Sequence, residues 1–109
     1  MMRQKSRKDL NQTAVVAKLR ERGWGVDIVE RPYDIVVSGW RDAMVVNGVG
    51  FYGFECSLRV ELKSEKGKLS DSQKKYIENL RYPDSFMVAT SSAEDPMPAV
   101  IKIEKWFGR

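Results

Sequence analysis

The chain of 109 residues contains no histidine, a single cysteine and only four prolines. Without histidine there is no Ser-His-Asp or Cys-His nucleophile system, no imidazole acid–base and no His-ligated zinc. One cysteine, Cys56, excludes an intramolecular disulfide framework and every Cys-rich zinc site. A reduced, cytoplasmic setting is the expectation. No apolar run approaches the roughly 20 residues that span a bilayer. The basic start, Met1-Met2-Arg3-Gln4-Lys5-Ser6-Arg7-Lys8, is followed by no apolar stretch resembling a signal-peptide core. Any catalysis falls to carboxylates, lysines, backbone groups and a hard metal ion.

What is present suits one compact domain: 42% of residues are apolar and 31% charged. The net charge of +4 is uneven. Residues 1–31 carry eight basic and four acidic side chains and residues 59–82 seven and four, whereas the remainder carries four against seven. Placed side by side, the two basic segments would make a cationic face suited to a phosphate backbone. Two solvated helices with Lys-rich outer faces would produce the same count.

The pattern along the chain predicts a helix over about 10–22, with Val15, Val16 and Leu19 on one face and Gly23 at its end. Strands are predicted over Trp24–Val29, Asp34–Ser38, Cys56–Lys63 and Phe86–Ala89. In the third of these, Cys56, Leu58, Val60 and Leu62 alternate with Ser57, Arg59, Glu61 and Lys63. Residues 39–53 fit either a hairpin, turning at Asn47-Gly48, or a mobile loop. Lys66-Gly67-Lys68 reads as a turn. Ser70 and Gln73 stand at capping-box spacing before a second helix, whose stripe of Tyr76, Ile77 and Leu80 is expected in the core. Ala99, Val100, Ile103, Trp106 and Phe107 suit a terminal helix, although Ile101 and Ile103 also suit a strand. The order α-β-β-β-α-β-α predicts an α/β domain with helices on a mixed sheet.

Two carboxylates and a lysine carry the chemical interest. Asp34 opens a strongly apolar strand, and Glu61 and Lys63 project from one face of another, about 6–7 Å apart. Glu61 lies among Leu58, Val60 and Leu62, where an unpaired carboxylate is costly. A divalent cation between Asp34 and Glu61 would offset that cost, and Mg²⁺ favours one or two carboxylates with waters and phosphate oxygens. Lys63 would then orient a water or stabilise transition-state charge. Glu61-Leu62-Lys63 alone also fits a Glu–Lys ladder on a half-exposed strand.

Pro32-Tyr33-Asp34, Val60-Glu61-Leu62-Lys63 and Gly67-Lys68-Leu69-Ser70 with Gln73 together resemble the PD-(D/E)XK nuclease superfamily. More narrowly, the chain is similar to the small stand-alone VRR-NUC proteins of phages and bacteria. Asp9-Leu10-Asn11-Gln12, Leu19-Arg20 and Gly23 resemble their first helix, so the likeness covers roughly residues 9–90, apart from 39–57. The resemblance implies a restriction-endonuclease-like domain over 9–109, with an αβββαβ core and a terminal helix; ahead of it the charge of Arg3, Lys5, Arg7 and Lys8 makes residues 1–8 a basic flexible arm, suited to DNA or simply a disordered terminus. It implies an endodeoxyribonuclease dependent on Mg²⁺ or Mn²⁺, in the cytoplasm of a bacterial cell or phage-infected host. Asp34, Glu61 and the backbone carbonyl of Leu62 would be metal ligands, Lys63 the catalytic lysine, and Gln73 a neighbour in the same site. A homodimer acting on branched or junction DNA is implied by the same analogy. The family commonly places an acid in the first helix, where this chain has Asn11-Gln12-Thr13-Ala14. That departure admits an alternative, a catalytically weak or inactive nuclease-fold module that binds DNA or scaffolds.

Lys8, Asn11, Gln12, Lys66 and Lys68 are candidate nucleic-acid contacts, with solvated surface as the plain alternative. Gln73 has an ordinary explanation as the partner of Ser70. Trp40 and Phe51-Tyr52-Gly53-Phe54, in a Gly-rich stretch, suit a dimer contact or a wedge against an unpaired base. Cys56 is expected to pack in the sheet as a small apolar residue.

Overall fold

Alternating and helical hydrophobic periods in this chain resolve into three helices and six strands in a computed structural model, which describes residues 7–64, 68–81 and 83–109. In chain order these are α1 (Arg7–Glu21), β1 (Gly25–Ile28), β2 (Ile35–Arg41), β3 (Met44–Val46), β4 (Val49–Phe51), β5 (Phe54–Lys63), α2 (Asp71–Glu78), β6 (Phe86–Thr90) and α3 (Met97–Trp106). A short 3₁₀ turn, Pro83–Ser85, leads into β6.

Strands β1-β2-β5-β6 form a mixed sheet in that order. The first two pairings are antiparallel and β5–β6 is parallel, with α2 in the crossover. The two-residue period of β5 sorts its faces. Leu58, Val60 and Leu62 are fully buried, together with Ile35 and Val37 opposite them on β2. Against this face pack Val15, Val16 and Leu19 of α1 and Ala99, Val100 and Ile103 of α3, with Phe107 beyond the helix end. Burial of one such Val, Leu, Ile or Phe side chain is worth about 1.5–3 kcal/mol, so this face supplies most of the driving force.

A clamp closes the helical layer. Glu104 of α3 accepts from Nε and Nη2 of Arg22, both at 2.8 Å, and from Trp24 Nε1 at 2.9 Å. The Arg22 hydrogen bond is the main cause that holds the Glu104 carboxyl below the ordinary carboxylate range. Trp24 also lies 4.4 Å from Phe107 between ring centroids.

The uncertain stretch after β2 is a hairpin, β3–β4, which forms a separate two-stranded sheet. Its turn is Asn47-Gly48, with φ of 50° and 78°, the backbone shape that two-residue hairpin loops require and that Asn-Gly tolerates best. The expected second strand also runs further, to Arg41, and the terminal segment around Ile101 and Ile103 is helical. The predicted arm over residues 1–8 lies largely outside the described residues, although α1 already includes positions 7 and 8.

One expectation about packing is overturned. Tyr76, Ile77 and Leu80 are half-buried, and α2 buries no residue. The reason is placement: α2 follows the crossover onto the polar face of the sheet, where Arg59, Glu61 and Lys63 project. It rests there on side-chain contacts, with Tyr76 against Phe86 and Tyr33 at centroid distances of 5.9 and 6.5 Å. Among the described residues the helices of the two basic segments, α1 and α2, therefore lie on opposite faces of the sheet. They meet at the C-terminal end of β5, where Asn11 donates to the Lys63 carbonyl at 3.4 Å.

Candidate functional site

The polar centre of the molecule forms where the β2–β5 ladder ends. The last paired residues are Ile35 and Val60, so Asp34 stands one step beyond, opposite Glu61 and on the same face. The Asp34 amide still donates to the Val60 carbonyl at 3.1 Å, but its side chain takes over from there. Oδ2 accepts the Leu62 N–H at 2.7 Å, replacing the backbone carbonyl that a continued strand would present. A buried amide donor left unmatched costs about 1–3 kcal/mol, so this bond alone gives Asp34 a structural role. Alternation along β5 puts the Leu62 carbonyl on the same edge as its N–H.

Asp34 and Glu61 are each only 3% exposed. Glu61 Oε1 receives two donors, Gln73 Nε2 at 2.8 Å and the Lys63 ammonium at 3.3 Å. A buried carboxylate is tolerable only when paired and hydrogen-bonded, and Lys63 with Gln73 meets both conditions. Gln73 reaches Glu61 because the capping box fixes it. Its Oε1 accepts from the Ser70 amide at 2.9 Å, while Ser70 Oγ accepts from the Gln73 amide at 3.2 Å. One amide side chain thus serves both as helix cap and as donor to the carboxylate.

Of these residues Glu61, Ser70 and Gln73 line a cleft of about 490 Å³ between α2 and the β1–β2 connection, bordered also by Glu30, Arg31, Pro32 and Tyr76. Glu30 adopts φ of 77°, rare for a residue with a side chain. Behind the cleft, Arg59 donates to Ser85 Oγ at 2.9 Å and to Tyr76 Oη at 3.3 Å, with its guanidinium 5.9 Å from the Tyr33 ring. Arg59, Tyr33 and Tyr76 are site-building residues that motif spacing alone passed over. The available signal was face alternation, since Arg59 precedes Glu61 and Lys63 on the same side of β5.

The structure brings Asp34, Glu61, Leu62, Lys63 and Gln73 together from β2, β5 and α2. It does not leave Asn11 on a surface that DNA could touch. That side chain is 2% exposed, donating to the Lys63 carbonyl and accepting from Ser91 Oγ at 3.3 Å. Its amide carries both a donor and an acceptor, which suits it to tying α1 to the ends of β5 and β6. Gln12 is half-buried on α1, and Lys68 is exposed between β5 and α2. Lys66 and the Lys8 side chain lie outside the described residues.

The donor set suits a hard cation in kind: two carboxylates and a strand-edge carbonyl. Among the described residues no group of three or more His, Cys, Asp or Glu is arranged to hold a metal ion. No described helix is long and apolar enough to cross a membrane. Comparison with protein-family models, with curated proteins and with solved structures finds no match to this chain.

Proposed function

We propose that the chain is a metal-dependent DNA endonuclease of restriction-endonuclease-like architecture, hydrolysing phosphodiester bonds. One observation carries the reading: two buried carboxylates, a lysine and a glutamine from three elements converge at one sheet end, beside a cleft. The strand order, with one helix before the sheet and another in the parallel crossover, supports the same architecture.

Asp34, Glu61 and the Leu62 carbonyl would hold Mg²⁺ or Mn²⁺. When bound, such an ion supplies Lewis-acid polarisation of a phosphate oxygen and lowers the pKa of water. The protein's own part is positioning and charge. Lys63 holds its ammonium 3.3 Å from Glu61, which lines the cleft, and from there would meet a phosphodiester oxygen or orient the attacking water. Gln73 fixes Glu61, and Asp34 is fixed in turn by the Leu62 amide. Hydrolysis adds water across one P–O ester bond and leaves a phosphate and an alcohol. The test is cleavage of linear and branched DNA in Mg²⁺ and in Mn²⁺. Wild-type protein is expected to cut, and Lys63→Ala and Asp34→Ala to lose at least about 100-fold in rate. Undiminished cleavage by both variants would remove the assignment.

A second reading has its own support. Glu61 is already paired with Lys63 and hydrogen-bonded by Gln73, and among the described residues no third His, Cys, Asp or Glu joins Asp34 and Glu61 in a group arranged to hold a metal ion. A nuclease-fold module that binds DNA without cutting it satisfies these facts. It predicts retained DNA affinity with no cleavage in either metal.

A further inference from the structure

The sheet has an unfilled position beside its longest strand. On one side of β5, β2 pairs with residues 54–60. On the other, β6 pairs only from Arg59 onward, so among the described residues no strand lies beside 54–58. The chain ahead of β6 does not continue that line. It coils into the 3₁₀ turn Pro83–Ser85, and the turn is tied to its neighbours: the Asp84 carbonyl accepts from Trp106 Nε1 at 2.7 Å, and Ser85 Oγ accepts from Arg59 at 2.9 Å. An unpaired strand edge presents a row of N–H and C=O groups that another main chain can match.

A groove of about 460 Å³ occupies this position. Phe54, Cys56 and Trp106 line it, with Met44 and Phe51 from the β3–β4 hairpin. Phe54 and Cys56 share the face of β5 that carries Leu58, Val60 and Leu62. A strand laid against this edge would therefore send alternate side chains into the groove. Four residues of such a strand, about 13 Å, span 54–57.

Charge decides between occupants. Among the described residues the charged side chains that line the groove are Arg41, Arg81 and Asp84, two cations against one anion. The Arg41 guanidinium lies 3.7 Å from the Trp106 ring centroid and 3.2 Å from the Asp84 carboxylate. The Arg41 side chain is 11% exposed, whereas that of Asp84 is 67% exposed. Stacking thus fixes the guanidinium at the groove, while its carboxylate partner stands mostly in water, where an ion pair contributes little. A guest carboxylate can share Arg41, and Arg81 adds a second cation. Glu55 does not oppose it, because it projects from the other face of β5 and lines a different cavity with Trp40. For the same reason the β5 edge of a second copy brings no carboxylate to these arginines. A phosphate backbone would find an apolar floor and two arginines, one of them already stacked and paired.

We propose that the slot beside residues 54–57 binds an extended segment of a partner protein. The segment adds a strand to β5, sets apolar side chains from alternate positions into the groove, and places a carboxylate against Arg41 and Arg81. The inference stands on edge geometry, groove lining and charge, independently of any nuclease activity.

Selection of phage-displayed random nonapeptides on the full chain tests it. The enriched peptides are expected to share two apolar residues two positions apart and an Asp or Glu. Cys56, the only thiol of the chain, reports occupancy: the synthesised peptide at saturation should slow its alkylation about tenfold or more. Methylating alternate main-chain nitrogens of that peptide should weaken binding about tenfold or more in one of the two registers, because the hydrogen bonds to β5 are lost. Arg81→Glu should weaken it by a similar factor with an unchanged circular dichroism spectrum; should that variant fail to fold, the methylated peptides still decide on wild-type protein. No enriched family, enrichment of basic peptides, an unprotected Cys56 or indifference to methylation in both registers overturns the proposal. Protection of Cys56 that rises with the concentration of the chain alone also overturns it, in favour of a second copy, as does protection by a DNA oligonucleotide.

Discussion

Gln73→Ala separates the local stability of α2 from the stability of the domain. Two contacts disappear: the Gln73 half of the capping box, and the 2.8 Å bond to the buried Glu61 carboxylate. The first is worth about 0.5–1 kcal/mol and the second, to a charged acceptor at a half-buried site, about 1–1.5. Together they come to about 2 kcal/mol. An eight-residue helix that buries no side chain has, beyond these two, mainly the contacts of Tyr76 with Tyr33, Phe86 and Arg59 to hold it. The loss therefore falls on α2, whose amides should exchange about 30-fold faster by native-state hydrogen exchange. The fully buried amides of β5 should change far less. Gln73→Glu sharpens the point, because glutamate still completes the capping box but faces Glu61 with a like charge. Its α2 should also loosen, and added Mn²⁺ should reverse the effect by drawing the two carboxylates to one cation. Unchanged α2 exchange in Gln73→Ala, or equal acceleration in β5, would refute this account of how the helix is attached.

Two further outcomes follow from the core. Glu104 has a depressed carboxyl pKa in the fold, so its stabilisation is complete above the unfolded value near 4.5 and is lost as pH falls through the lower folded value. The acid limb of a Tm-versus-pH profile should therefore be shallower in Glu104→Gln than in wild type, and parallel limbs would contradict the clamp. Gly39→Ala would place a Cβ 2.4 Å from the Trp24 ring, which Glu104 and Phe107 hold in place. The expected cost is about 1–3 kcal/mol by chemical denaturation, and a neutral result would show that Trp24 is free to move.

Several features were legible because they depend on neighbours in sequence. The Ser70–Gln73 cap, the Asn47-Gly48 turn and the alternation of Leu58, Val60 and Leu62 each follow from local backbone geometry. The α/β class and mixed sheet follow from the order of those elements. What lay hidden depends on distance along the chain. Helical spacing marked Tyr76, Ile77 and Leu80 as a face, but not that α2 would settle on a polar surface that buries none of them fully. The type of Asn11 suggested a surface contact, while its real partners are 52 and 80 residues away. Glu104 offered no local sign of the clamp, since Arg22 and Trp24 lie 82 and 80 residues before it. At the site, spacing brought Glu61 and Lys63 together, but the Gln73 bond to Glu61 came from the way the capping box aims that side chain. The exposed aromatics of the hairpin were visible as residues; their lack of cover was not.

Under the proposed function, the end of the sheet at Asp34 and Glu61 receives a divalent cation, beyond serving as a closed polar cluster. Titration calorimetry with Mn²⁺ on the full chain tests it most directly. The account predicts a saturable heat in wild type that disappears in Glu61→Gln, a variant still able to hydrogen-bond Gln73. No heat in wild type, or the same heat in both proteins, would contradict it.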